Sequence, residues 1–163
     1  MKKLLCSVLV AALLLAAAAS AEVPSLSESL FKCAKGTLTA LASGSYDKIV
    51  TSVPFSGVSP SADEWENFAR GSFSNLIGTS PQTKYAVAYW SGSIWKVAVP
   101  VSEPSSGSVE TLVLLSEDGE TVTGYACNSW SQVQGEYESS SYVKWNSEYN
   151  SSTSAVIEMD EYD

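Results

Sequence analysis

The side chains of this 163-residue chain that can do chemistry are few, and one omission governs them: histidine is absent. Its absence removes Ser-His and Cys-His nucleophile pairs, imidazole metal ligands and histidine general bases together. Ser-x-x-Lys, the nucleophile motif of penicillin-recognising enzymes, occurs at Ser29/Lys32, Ser45/Lys48 and Ser141/Lys144. Three occurrences in a serine-rich chain, with no S-D-N or K-T-G companion, read as chance. No phosphate-cradling glycine loop or calcium loop is present. The acids placed for proton transfer are Asp47 and Asp63, which fall where helices would meet a sheet. Each also has a structural use, because a carboxylate in the first helical turn favours the positive end of the helix dipole. Tyr85, Tyr89, Trp95 and Tyr125 are the candidate ligand-binding residues, and they either line a pocket or fill a core, the commoner use of such rings. No residue set implies a metal or another cofactor, and the acidic end, Glu158 to Asp163, reads as a solvated tail.

The compartment follows from the first 21 residues. Lys2 and Lys3 precede an apolar run from Leu4 to Ala18, and Ala19-Ser20-Ala21 is an A-x-A cleavage site before Glu22. The run is shorter than the roughly 20 residues a membrane span needs. It reads as a signal peptide, and the expectation is a soluble protein, secreted or periplasmic, with no membrane association after cleavage. Losing 21 of 163 residues leaves 142, enough for one domain with its own core. Losing two lysines takes the formal charge from −9 to −11, which repels phosphate backbones and anionic lipid heads, so a nucleic-acid role is not expected. Cys33 and Cys127 survive cleavage, and an oxidising compartment permits a bridge between them. Such a bridge would contribute about 4–5 kcal/mol through chain entropy; two inert buried thiols are the alternative. There is no C-x-x-C for dithiol chemistry.

Periodicity supplies the elements that must position these residues. Leu26, Leu30, Cys33, Ala34, Leu38 and Leu41 recur at helical spacing, predicting a first helix over 27–43 that stops at Gly44. SYDKIVTSV predicts a short second helix ended by Pro54. A third begins at Ser59-Pro60 or at a Ser61/Glu64 capping box and carries Trp65, Phe68, Ala69, Phe73, Leu76 and Ile77 on one face up to Gly78. After Pro81 the pattern alternates, predicting strands near 83–90, 94–101, 109–116 and 121–128. Asp118-Gly119 predicts a two-residue turn that sets Leu115 opposite Val122 and Leu112 opposite Tyr125. Leu112, Leu114, Tyr125 and Cys127 then share the face laid against the first helix. In the hairpin YAVAYWSGSIWKVAVPV two registers compete. A two-residue turn at Ser91-Gly92 pairs Ala88 with Trp95 and splits the aromatics between faces, whereas a three-residue loop pairs Tyr89 with Trp95 and gathers them on one. Beyond Trp130 lies a Ser- and acid-rich segment, 131–163, with an added strand or docked segment near 130–147 and a solvated remainder.

Three N-terminal helices followed by antiparallel strands, with a first helix that stops at Gly44 and restarts in LASGSYDKIVTSVPFSG, resemble the nuclear transport factor 2-like (cystatin-like roll) superfamily over about residues 26–130. The resemblance implies an α+β fold, N-terminal helices packed on a curved antiparallel sheet in a cone-shaped roll, with the domain running from 22 to 130. Members include enzymes as well as ligand-binding, dimerising and accessory proteins, so the fold does not choose a function. The expectation is an exported, non-catalytic binding or accessory module, with a small apolar ligand in the cone or a protein partner on the sheet face, a homodimer being one form of that partnership. One alternative is a cavity-carboxylate enzyme of isomerase or dehydratase type, which needs Asp47 or Asp63 inside an enclosed polar cavity. Another is a surface interaction module that uses the aromatic C-terminal segment.

Overall fold

A computed structural model describes residues 22–146. Helix α1 spans Glu28–Ser43; the Ser27 hydroxyl caps it by accepting the Ser29 N–H at 3.2 Å, and Gly44 ends it at φ 70°, a left-handed conformation that suits glycine. Helix α2, Tyr46–Ser52, follows, and buries Ile49. The expected capping box starts α3, Ala62–Ser72: Glu64 N–H donates to Ser61 Oγ at 3.3 Å, and Ser61 N–H donates to Glu64 Oε2 at 2.7 Å. The helix stops five residues before the periodicity does. Phe73 is already extended, and the Ser74 N–H is taken by both carboxylate oxygens of Glu110, at 2.9 and 3.0 Å. Phe73 and Leu76 still reach the core, but Ile77 lies outside it.

After a 3-10 turn at Thr83–Tyr85 come strands β1, Val87–Trp90; β2, Trp95–Pro100; β3, Glu110–Ser116; and β4, Gly124–Ser129. Helix α4, Trp130–Glu138, and strand β5, Val143–Trp145, complete the described chain, so the domain continues past the boundary expected at 130. Residues 147–163, and with them the expected solvated tail, lie outside the described residues, as does the leader. The five strands form one antiparallel sheet in the order β4-β3-β2-β1-β5. The result is the expected α+β architecture, three helices preceding a curved, unclosed sheet, with α4 added on its other side.

Both hairpin registers differ from expectation. Trp90 pairs with Trp95 across a four-residue loop, Ser91–Ile94, so neither anticipated register is the observed one. The observed pairing differs from the two-residue turn by an even step, so the split of aromatics stands: Ala88, Trp95, Val97 and Val99 join the helix-side core, and Val87, Tyr89 and Ala98 the opposite one. Likewise Leu115 opposes Gly124 rather than Val122, and Leu112 opposes Cys127 rather than Tyr125. The Asp118 carboxylate explains the longer loop. It accepts N–H bonds from Glu120 and Thr121 and hydroxyl bonds from Ser116 and Thr121, which folds 116–121 around it. Those donors, Thr121 foremost, hold its carboxyl pKa well below the usual carboxylate range. Thr123 N–H also bonds to Leu115 O, leaving two residues opposite one, a β-bulge. Because the slip is again even, Leu112, Leu114, Tyr125 and Cys127 still share the helix-side face.

An N-terminal strap, residues 22–27, closes this side. Pro24 O accepts the Trp95 indole N–H at 2.6 Å, Ser27 N–H donates to Gly119 O at 2.9 Å, and Val23 and Leu26 pack on the core. The strap crosses so close that a Cβ on Gly119, at φ 78°, would run into the Ser25 carbonyl.

Candidate partner-binding edge

The four aromatic candidates do not converge. Tyr89 points toward α4, donating its hydroxyl to Glu136 Oε2 at 2.8 Å, while the Lys96 ammonium reaches the same oxygen at 2.7 Å. Trp95 lies on the opposite face, its ring edge-on to Trp90 at 5.7 Å. Tyr85 is buried at the end of the 3-10 turn, with Lys84 Nζ 4.9 Å from its ring centre. Tyr125 alone combines partial exposure with a cluster of other rings. Asp47 and Asp63 are both exposed in first helical turns, outside any enclosed cavity that an acid catalyst would need.

Around Tyr125 the sequence builds an aromatic shelf. Helix α3 places Trp65 and Phe68 one turn apart on the face toward β4, and the loop after α2 brings in Phe55. Tyr125 lies 4.2 Å from Trp65, 4.7 Å from Phe68 and 6.2 Å from Phe55, centre to centre, the last two edge-on. Trp65 is 0% exposed, yet its indole N–H has no partner among the described residues, and neither does the buried hydroxyl of Ser59. Val58, in the same loop, is 96% exposed.

The strand bearing Tyr125 is an outer strand of the sheet. The 54–56 segment covers its approach, with Val122 N–H bonded to Pro54 O and Ser56 N–H to Val122 O, and that cover ends there. Trp130 N–H bonds to Val109 O, one step beyond the β3–β4 ladder. In an antiparallel ladder bonded positions alternate, so Gly124, Ala126 and Asn128 face β3, and the N–H and C=O groups of Tyr125 and Cys127 point to the side where no strand pairs among the described residues. Natural sheets usually blunt such an edge with charge or proline. From Gly124 to Ser129 there is neither, and among the described residues the edge is interrupted only at its start, by the bulge and the 54–56 cover.

Acids flank this edge. Burial, and then the Glu64 charge, raise the Tyr125 phenol. Burial likewise raises the Cys127 thiol, with Glu110 adding to it, and burial raises Cys33. Both cysteines are free thiols, which corrects the expected bridge. Helix α1 lies across β2 and β3, whereas Cys127 sits on β4, one strand further out, and a bridge needs Cα atoms within about 7 Å. With their protons held more tightly, the two thiols are poor nucleophiles.

Among the described residues no group of three or more His, Cys, Asp or Glu side chains could hold a metal ion, and no helix is long and apolar enough to cross a membrane. Neither a family model, nor a curated protein, nor a solved structure matches the chain. The edge itself escaped the sequence reading, because hairpin signals pair neighbouring strands without saying which strand ends up outside. The uncharged, proline-free GYACNS was the available signal.

Proposed function

We propose that this chain is an exported, non-catalytic binding module related to the nuclear transport factor 2-like proteins, and that it takes an extended segment of a partner protein along β4. The observation that carries the reading is the outer strand free of charge and proline, with the outward backbone of Tyr125 and Cys127 beside the partly buried rings of Tyr125, Phe68 and Phe55, which pack on buried Trp65. Strand addition uses such backbone groups for affinity and neighbouring side-chain pockets for specificity. Filling of the concave side by Trp65, Trp95, Leu38 and Leu41, all at most 1% exposed, weighs against an apolar ligand in the cone. The exposure of Asp47 and Asp63 weighs against the carboxylate enzyme. The sheet face expected to receive a partner carries α4 instead, which moves the contact to the edge. Glu64 and Glu110 beside the strand, on a chain with twice as many acids as bases, favour a partner segment bearing Lys or Arg.

The test is an NMR titration of the full chain with a ten-residue peptide of alternating valine and threonine flanked by lysines. Binding is expected to shift the amides of Tyr125 and Cys127, to weaken when glutamate replaces the lysines, and to disappear in Cys127→Pro, which removes one outward N–H without touching the β3 ladder. Shifts confined to other strands would overturn the assignment. A concentration-dependent dimer abolished by Cys127→Pro would replace the foreign partner with a second copy of this chain.

A further inference from the structure

Past the Ser129 end of β4, the 74–82 loop and the β2–β3 connector face each other across an open cleft of about 450 Å³ that includes Glu110. That volume lies within the range of small-molecule sites. Both walls are tied down. Gly78 N–H bonds to Ala42 O at 2.7 Å, and Thr79 bonds through both its N–H and its hydroxyl to Leu76 O. Across the cleft, Val101 N–H bonds to Glu110 O, and Ser131 N–H bonds to Gly107 O at 2.9 Å, clamping the connector to α4. A Cβ on Gly107 would sit 2.9 Å from that of Ser131, so glycine permits this approach.

The lining has an uneven chemistry. Ser74, Asn75, Gln82, Ser102 and Ser108 present hydroxyls and amides, which donate and accept, and Glu110 supplies the one charge. Among the described residues no lysine, arginine or aromatic side chain lines it. Anions therefore meet a carboxylate with no compensating cation, and flat rings find nothing to stack on. Glu110 enters no ion pair among the described residues, and its two oxygens share the single Ser74 N–H, leaving further acceptor capacity for a donor in the cleft. We infer that this cleft binds a polyhydroxylated ligand bearing a protonated amine, an amino sugar in chemical class, with hydroxyls met by the serines and amides and the ammonium by Glu110. The inference shares Glu110 with the β4 reading but needs no strand added along β4.

Glucosamine, glucose and glucuronate form a matched set for the test, titrated separately into the full chain while cleft amides are followed by NMR. Glucosamine is expected to shift Ser74, Asn75 and Ser108 and to bind about tenfold more tightly than glucose, the value of one charge-assisted hydrogen bond, with glucuronate weakest. Glu110→Gln should level glucosamine with glucose while keeping the acceptor for Ser74, and Ser108→Trp, which fills an exposed wall, should abolish both. Absence of cleft shifts with glucosamine, equal affinity for all three sugars, or a preference that survives Ser108→Trp would overturn the assignment.

Discussion

The two faces of the sheet are held to their helices by different physics. On one, α1–α3 bury a continuous apolar core from Leu30 to Val122, with Trp65 and Trp95 at most 1% exposed and the N-terminal strap sealing the top. On the other, α4 contributes only Trp130 and Val133 to a small buried cluster and adds a polar latch in which Glu136 accepts from Tyr89 and Lys96 together. Hydrophobic burial is non-directional and indifferent to pH, whereas a half-buried ionic latch depends on the protonation of each member. The contrast assigns global stability to the first face and a separately adjustable element to the second.

The largest effect is expected on the helix side. Trp65→Ala should cost about 3–5 kcal/mol in denaturant unfolding, as removal of a fully buried large ring does. Trp65→Phe should cost much less, because it retains ring packing and deletes the buried N–H that lacks a partner. Equal losses in both variants would show that the indole nitrogen is satisfied by something bound. Next comes Gly119→Ala, which combines a left-handed backbone, worth about 1–2 kcal/mol against a non-glycine residue, with collision into the strap. Its thermal transition should fall and the Trp95 fluorescence environment should change together; a drop in stability without the Trp95 change would mean that the strap stays docked.

The smallest effect belongs to α4 and carries a pH signature. Burial alone would raise Glu136, but Lys96 and Tyr89 together outweigh it and hold the carboxyl below its ordinary value. Its contribution is therefore present above the unfolded carboxylate range and is lost as pH falls through the lower folded value. Tyr89 is shifted upward, first by burial and then by Glu136, so its contribution is present below the ordinary phenol value of about 10 and is lost as pH rises above it. Amide exchange in 130–138, corrected for the intrinsic pH dependence, should accelerate at both extremes before the α1 amides respond. Tyr89→Phe should cost about 0.5–1.5 kcal/mol, abolish the alkaline limb and weaken the acid limb, because Glu136 then keeps Lys96 but loses the phenol donor. Simultaneous opening of α1 and α4 would erase the proposed difference between the faces.

How far the sequence reaches divides along the same line. The helix-side face was legible because it is written in period: Leu30, Ala34, Leu38 and Leu41 recur with the helix, and the alternating strands keep Leu112 and Leu114 on one face even when the register slips by two. Loop lengths were not legible, since Asp118 draws its loop longer through hydrogen bonds that no turn dipeptide announces. Helix α4 lay hidden among serine and acid residues, although Ser129, whose hydroxyl accepts the Gln132 N–H, and Trp130, Val133 and Tyr137 at helical spacing were its signature. The candidate edge depends on sheet order, a property of the assembled fold. In the sequence Tyr125 stands out for its ring, whereas in the fold its outward backbone is what makes the candidate site.

Native-state exchange at four consecutive β4 amides, with and without the lysine-flanked peptide, reads whether the outer edge of β4 is free and whether a partner strand adds to it. Slow exchange is expected at Ala126 and Asn128 and fast exchange at Tyr125 and Cys127 in the free protein, with the fast pair becoming protected when peptide is added. Protection of all four in the free protein would mean that the edge is already covered, and an unchanged fast pair at saturating peptide would mean that the partner does not add along β4.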